Sequence, residues 1–182
     1  MIRKLHHNAY RCRDSEETRR FYEDFLGLPL VGTLDLGETK TGRDTHTLHT
    51  FYRLEDGSHL AFFETTDMPF DFKRQHDFDL HIALEVGAQA LQPMLAKGRA
   101  AGIETRGPSD HGMIDSIYFR DPNGYVIELC AKRADHDSLM DPATNGARSK
   151  LERWTADKAG SPRTALHDDS SLPAQAGAGR NP

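Results

Sequence analysis

Two histidines and one glutamate are the residues of this chain that could together bind a metal ion. His7 and His81 each begin a His-x-Ala step, and each step opens a short run of apolar or alternating residues. Glu128 lies inside the apolar run 125–130, where an ionised carboxylate is costly unless it is paired or bound to a metal. Two imidazoles and one carboxylate form a set that holds Fe(II) or a similar divalent ion with open coordination positions. We therefore predict His7, His81 and Glu128 as metal ligands.

Each of these residues also has an ordinary explanation when it is taken alone. A single histidine at the start of a strand is usually a surface or core residue, and a glutamate in an edge strand can simply face water. The two His-x-Ala steps, however, occupy equivalent places in a repeated sequence. The ordinary explanation would require three coincidences, so the metal site is the better hypothesis.

The repeat consists of two halves in which the same elements follow in the same order. Each half is predicted to contain a strand, a helix and three further strands. The helices are expected over 14–26 and 88–101, and a glycine ends each of them, Gly27 and Gly102. The strands are expected over 5–10, 28–34, 45–54 and 58–64, and over 80–85, 103–106, 114–120 and 125–130, with a long loop over 37–44. The sequence therefore predicts an α+β fold made of two βαβββ modules.

The alternation of residues along a strand indicates which side chains share a face of the sheet. Ile82 and Leu84 should pack on the helices, so His81 points to the opposite, concave face. By the repeat, His7 points to the concave face as well.

The two glycine-containing hairpin turns provide a second alignment of the halves. From this alignment we expect Phe62 opposite Glu128, on the concave face. We also expect His49 opposite Ser116 on that face, and His59 on the other face.

The composition restricts the possible classes of function. The chain has 182 residues and a formal net charge of −5 at pH 7, and its basic pairs lie among acidic residues, which argues against nucleic-acid binding. We expect no membrane segment, because no apolar run approaches the roughly 18 residues that a spanning helix needs, and no secretory segment. Cys12 and Cys130 are too few for a disulfide framework, so a cytoplasmic location is expected.

The expected organisation is a domain over residues 1–132, with modules at 3–66 and 77–132, and a polar, partly disordered tail over 133–182. Within the tail, residues 150–158 are compatible with a short helix around Trp154. The stretch 160–182 is rich in Gly, Pro, Ser and Ala and buries too little apolar surface to order by itself.

The segment 115–128, with the sequence DSIYFRDPNGYVIE, resembles the vicinal oxygen chelate superfamily, and the stretch 21–28 is a second marker. That superfamily includes glyoxalase, fosfomycin-resistance transferases, bleomycin-binding proteins and extradiol ring-cleaving dioxygenases. The resemblance spans residues 3–132. It implies that the two modules form an open eight-stranded, barrel-like sheet around a metal, with the three predicted ligands at the family's ligand positions.

The resemblance also distinguishes among activities. Glyoxalase-type isomerases carry a second glutamate where Phe62 is expected here, and phenylalanine cannot bind a metal. Three protein ligands are typical of extradiol dioxygenases, which use iron, and of fosfomycin-type thiol transferases, which use manganese. Tyr118 resembles a dioxygenase tyrosine that hydrogen-bonds the bound substrate, and His111 lies near the position of a dioxygenase histidine. A core tyrosine and an exposed histidine are the ordinary alternatives for these two residues.

The expected function is that of an extradiol-type dioxygenase, which cleaves a catechol-like substrate with O2. Fe(II) is the expected cofactor, with Mn(II) or another divalent metal as the alternative. We predict that His49 or His111 transfers protons, that Tyr118 orients the substrate and that Phe51 and Phe62 exclude water. A glyoxalase- or fosfomycin-resistance-type lyase or thiol transferase is the first alternative function, and a metal-free binding module is the second.

A homodimer is the expected assembly of this two-module chain. Members of the family build the metal site either within one chain or by exchanging modules between two chains. The sequence leaves open whether His7 serves its own chain or a partner, and it does not identify the substrate.

Overall fold

The structure of the chain, a computed structural model, describes residues 1–73, 76–77 and 79–160. It divides into two units, Met1–His136 and Asp137–Pro182. Both cysteines are free. Within the described ranges, no helix is long and apolar enough to cross a membrane.

Each half of the first unit folds in the predicted order of elements. The first module comprises β1 (His7–Arg11), α1 (Ser15–Arg19) with a π-helical continuation (Arg20–Phe25), β2 (Leu30–Glu38), β3 (Asp44–Arg53) and β4 (His59–Thr65). The second module comprises β5 (His81–Glu85), α2 (Ala88–Ala100), β6 (Thr105–Asp110), β7 (Ile114–Arg120) and β8 (Val126–Lys132). After it come α3 (His136–Leu139) and α4 (Ala147–Gly160).

The two modules have the same sheet topology. The strand orders are β1-β4-β3-β2 and β5-β8-β7-β6. In each sheet the first strand of the module lies at an edge, parallel to the last strand, and the remaining pairs are antiparallel. This arrangement confirms the two βαβββ modules.

The helix of the first module begins and ends as its sequence predicts. The carboxylate of Asp14 accepts a hydrogen bond from Glu17 N at 2.7 Å, which caps the first turn. Gly27 follows the helical segment with φ of 85°, a backbone conformation that favours glycine. The segment is not uniformly α-helical, because Leu26 N bonds to Phe21 O, five residues back, at 2.9 Å.

Two strands differ from their predicted bounds. β2 extends to Glu38, into the region expected to be a loop, because it pairs with β3 as far as Asp44. β6 lies over Thr105–Asp110 rather than 103–106, and its pairing with β7 is interrupted between Arg106 and Ser109. In the second unit, the helix expected over 150–158 lies inside α4. The tail expected to be flexible lies outside the described residues from position 161 onward.

The helices pack on one face of each sheet and form a continuous core. In the first module the fully buried Tyr22 ring lies 4.7 Å from the Phe62 ring and 5.5 Å from the Tyr52 ring, measured between centroids. Phe25, also from the first module, contacts Phe119 of the second at 5.2 Å. The opposite, concave faces of the sheets are therefore left for other contacts.

The β7–β8 turn of the second module holds the helical segment of the first. The side-chain oxygen of Asn123 accepts a hydrogen bond from Arg13 N at 2.8 Å, and its Nδ2 donates to Thr18 Oγ1 at 3.2 Å. The hydroxyl of Tyr22 donates to the carboxylate of Asp121 at 2.9 Å, and burial raises the pKa of this carboxyl. The two modules of one chain thus contact each other through their helix-bearing sides.

We predict that Asn123→Ala lowers the free energy of unfolding by about 1–3 kcal/mol, because the Arg13 N–H loses its acceptor and Thr18 Oγ1, which still donates to Asp14 O, loses its donor. Asp56 occupies the equivalent place in the β3–β4 turn and is exposed. Within the described chain, its carboxylate accepts hydrogen bonds only from Ser58, two residues away. Asp56→Ala should therefore cost only about 0.5 kcal/mol. Urea denaturation measures both values, and equal losses would contradict the proposed holding role of the second turn.

Candidate metal centre

A buried carboxylate lies on the concave face of the second module. Glu128 pairs with Ala83 on β5 and with Tyr118 on β7, and it is 5% exposed. Its Oε1 accepts hydrogen bonds from Ser116 Oγ at 2.5 Å and from the Tyr118 hydroxyl at 3.3 Å. Both donors are neutral, so they orient the carboxylate without balancing its charge.

His81 faces the other oxygen of this carboxylate. Its Nε2 lies 3.3 Å from Glu128 Oε2, and its Nδ1 lies 3.0 Å from the carbonyl oxygen of Asp77. Because a carbonyl only accepts, Nδ1 carries a hydrogen, and Nε2, which is an acceptor when it carries no proton, faces the carboxylate. Two facing acceptors require a proton or a cation between them, and a backbone carbonyl that fixes the tautomer is typical of metal-binding histidines. The donor set of this pair fits a divalent metal.

Tyr118 and His111 extend this cluster. His111 Nε2 lies 2.7 Å from the Tyr118 hydroxyl, which also reaches Glu128. Burial, followed by the charge of Glu128, raises the pKa of Tyr118, so the phenol stays protonated and remains a hydrogen-bond donor. We call His81, Glu128, Tyr118 and His111 the carboxylate half-site.

The concave face of the first module carries imidazoles instead. The ring of His7 lies 6.2 Å from that of His49 and 5.6 Å from that of Phe51, between centroids. Burial and the neighbouring His6, His49 and His59 lower the pKa of His7, so its imidazole is neutral near pH 7. Its Nδ1 lies 2.8 Å from His6 Nδ1, and when His7 is the donor of that hydrogen bond the lone pair of its Nε2 is available to a metal.

His49 is the buried imidazole of this face. It is 6% exposed and stacks on Phe63 with a centroid distance of 3.7 Å. Its Nδ1 lies 2.9 Å from the carbonyl oxygen of Phe62, which assigns the hydrogen to Nδ1 and leaves the Nε2 lone pair free to accept a proton. We call His7 and His49 the histidine half-site.

The predicted site residues therefore fall into two groups. Four of them, His81, Glu128, Tyr118 and His111, lie together, and His7 and His49 lie together on the other sheet. Among the described residues, no three His, Cys, Asp or Glu side chains converge to hold one metal ion. The structure of a single chain thus presents two half-sites and leaves the predicted ligand set untested.

Two expectations about faces were wrong. The residue of β4 that corresponds to Glu128 is Ala61, since Ala61 pairs with Ala9 and Phe51 as Glu128 pairs with Ala83 and Tyr118. Phe62 points to the opposite side and packs on Tyr22 in the core, so it cannot shield the concave face. A shift of one residue reverses every side chain of a strand.

His59 was expected on the face opposite to His49, and this was also wrong. It pairs with His7 and its ring lies 6.2 Å from that of Phe51, on the concave face. Phe51 does lie beside the histidine half-site, as predicted. Two further residues near the carboxylate half-site, Asp77 and Arg106, were not recognised from the sequence. The register of β6 on β7, which pairs Arg106 with Tyr118, would have identified Arg106.

The sequence and the fold match a known family. The model of the Glyoxalase/Bleomycin resistance protein/Dioxygenase superfamily matches residues 4–129, and the chain belongs to this superfamily. A lactoylglutathione lyase from Neisseria meningitidis serogroup A is 27% identical over 139 residues, 75% of this chain and 96% of the relative. One from Haemophilus influenzae is 29% identical over 137 residues, 73% of this chain and 96% of the relative.

A solved structure with the same fold is that of the fosfomycin resistance protein FosX from Listeria monocytogenes, in complex with Mn(II) and a sulfate ion. It aligns with a TM-score of 0.56 at 20% identity and covers 75% of this chain and 98% of that one. At this identity the likeness concerns the fold. It confirms the expected paired-module architecture of the superfamily.

We predict that Glu128→Gln leaves the metal-free protein as stable as the wild type, or more stable by up to about 1 kcal/mol. The amide oxygen can still accept from Ser116 and Tyr118, and the amide NH2 can donate to the Nε2 lone pair of His81. Unfolding by urea in the presence of EDTA measures the effect.

The control for this experiment is Glu85→Gln, because the Glu85 side chain is 64% exposed on the same sheet. Its free energy of unfolding should change by no more than about 0.5 kcal/mol. A loss of about 3–5 kcal/mol in Glu128→Gln would instead identify Glu128 as half of a structural ion pair with protonated His81.

Proposed function

We propose that the protein is a divalent-metal-dependent enzyme that activates an electrophilic substrate without consuming O2, as a lyase or thiol transferase. The observation that carries the proposal is the pair formed by His81 Nε2 and Glu128 Oε2, 3.3 Å apart and each oriented by further hydrogen bonds. The curated relatives, named lactoylglutathione lyase, support this class of reaction over a dioxygenase.

The complete site is proposed to form between two copies of the chain. Within one chain the modules contact each other through their helix-bearing sides, as the bonds of Asn123 and Asp121 show. Among the described residues of one chain, the histidine half-site and the carboxylate half-site do not combine into one metal site. In a homodimer with twofold symmetry, each concave face of one chain meets the complementary face of the partner, so that two equivalent sites form.

His7 of one chain, with His81 and Glu128 of the other, would hold the metal. Neutral imidazoles and a carboxylate suit Mn(II) and Fe(II) alike, and FosX provides an example of this fold with Mn(II). A bound divalent ion would polarise a carbonyl or epoxide oxygen of the substrate as a Lewis acid.

The residues beside the ligands supply proton transfer. Ala61 stands where a second carboxylate could lie and can neither bind a metal nor take a proton. His49, whose Nε2 lone pair is free, is proposed to take the proton of the attacking group. The Tyr118 hydroxyl would donate a hydrogen bond to the developing oxyanion. A single base next to a polarised oxygen suits the addition of a thiol.

Arg11 indicates that one reactant carries an anionic group. It lies on the same face of β1 as His7, and its Nη2 donates to Met68 O at 3.0 Å. Its Nε is buried without an acceptor, and no carboxylate of the described residues pairs with it. A guanidinium with unused donors binds a carboxylate or phosphonate readily. We propose that Arg11 binds such a group of the substrate or thiol.

A second candidate function is the extradiol dioxygenase with Fe(II). The contacts among His111, Tyr118 and Glu128 favour it, because they place a protonated phenol and an imidazole beside a ligand, as a catechol substrate would need. Such a reaction would consume one O2 for each ring cleaved.

The first test is turnover with defined metals. With Mn(II), the protein should convert glutathione together with a 2-oxoaldehyde or an epoxide, and oxygen consumption should stay at background. In that assay His49→Gln should lower kcat by about 100-fold or more with little effect on KM, because the thiol loses its base. Oxygen uptake with catechols after anaerobic loading with Fe(II), together with no thiol reaction, would overturn the proposal in favour of the dioxygenase.

The second test concerns the assembly. When the inactive variants His7→Ala and His81→Ala are mixed as subunits, random pairing should recover roughly one quarter of the wild-type activity. Half of the dimers are then heterodimers, and each of them has one intact site out of two. Mixing His81→Ala with Glu128→Gln is the control, since both changes fall in one half-site and no intact site forms. If the mixture of His7→Ala and His81→Ala stays as inactive as the control mixture, a site shared between chains is contradicted.

A further inference from the structure

Asp77, which lies between the two modules, is linked by hydrogen bonds to His81 and to the neighbours of Glu128. Asp77 lies four residues before His81, in the described pair 76–77. Its backbone and its side chain make separate contacts, and the two lead to different members of the carboxylate half-site.

The backbone contact fixes the imidazole. The Asp77 carbonyl oxygen lies 3.0 Å from His81 Nδ1, and this bond sets the direction of Nε2 towards Glu128. A carbonyl in a connecting segment holds a ring in place only when the segment is itself held.

The side chain of Asp77 attaches the segment to the second module. The Asp77 carboxylate accepts a hydrogen bond from Arg106 Nη2 at 2.5 Å, and Arg120 Nη2 lies 3.8 Å away. These arginines come from β6 and β7 of the second module. The segment is therefore attached to the sheet that carries Glu128.

Arg106 continues the chain of contacts to the second ligand. Its guanidinium carbon lies 5.2 Å from the centroid of the Tyr118 ring, within the range of a cation–π contact. The Tyr118 hydroxyl in turn donates to Glu128 Oε1 at 3.3 Å. In the first module the equivalent pair is Gly32 and Phe51, which offers neither the cation nor the hydroxyl. The arrangement thus belongs to the carboxylate half-site alone.

We propose that Asp77 is a positioning residue for the metal site: its carbonyl orients His81, and its carboxylate, through Arg106 and Tyr118, orients Glu128. The inference rests on the metal site of the proposed function. It adds that the segment between the modules, and not only the sheet, sets the affinity of the site for metal. Loss of the carboxylate releases both ligands from their common support.

The test is the affinity of the dimer for Mn(II), measured by competition with a chelator. Asp77→Ala and Arg106→Ala should each weaken binding by about tenfold, the effect expected when an outer partner of a metal ligand is lost. Because both variants remove the contact between Asp77 and Arg106, the double variant should bind much more tightly than the product of the two single effects predicts. Asp71→Ala, an exposed acid in the same segment, is the matched control and should bind as the wild type does.

Two further measurements separate positioning from folding. The visible absorption of bound Co(II) should change in Asp77→Ala but not in Asp71→Ala, because the ligand geometry is altered. The metal-free variants should unfold at nearly the same urea concentration as the wild type. Wild-type affinity and an unchanged Co(II) spectrum in Asp77→Ala would overturn this inference and leave the proposed function standing. Absence of metal binding in the wild type would overturn the proposed function itself.

Discussion

The charge of Glu128 is the constraint around which the second module is arranged. Its carboxylate is 5% exposed, and the hydroxyls that donate to it, those of Ser116 and Tyr118, are neutral. The remaining oxygen faces Nε2 of His81, whose Nδ1 donates to a backbone carbonyl. Such a group costs stability unless a cation balances it. On the proposed metal site, the bound cation is what balances this charge, and the arrangement serves binding rather than folding.

The repeat shows how two copies of one module come to carry complementary chemistry. Equivalent positions hold Glu128 and Ala61, Tyr118 and Phe51, and Ser116 and His49. The second module thus gathers a carboxylate and the hydroxyls that orient it. The first gathers imidazoles and, in Arg11, a cation without a carboxylate partner in the described chain. One face lacks what the other supplies, and on the proposed assembly this complementarity would favour the contact between the concave faces of two copies.

The order of elements could be predicted from sequence because short-range physics determines it: Asp14 caps a helix, Gly27 ends it, and alternation marks β5. The face of Phe62 was predicted wrongly although the sequence contains the answer: aligning Gly57 with Gly124 places Ala61 opposite Glu128, and a displacement of one residue puts Phe62 there instead. The contact of Arg106 with Tyr118 could not be predicted from the sequence for another reason. Proline and glycine in the middle of β6 weaken the strand pattern, and only the paired register reveals the contact.

The location of the two half-sites follows from a contact that has no part in the chemistry. The β7–β8 turn binds the helical segment of the first module through Asn123 and Asp121, so the modules of one chain meet by their helix-bearing sides. That contact joins the modules in an arrangement that, among the described residues, does not gather His7, His81 and Glu128 around one ion. On the proposed assembly, the bonds that fold the single chain are therefore also the reason why its metal site requires two.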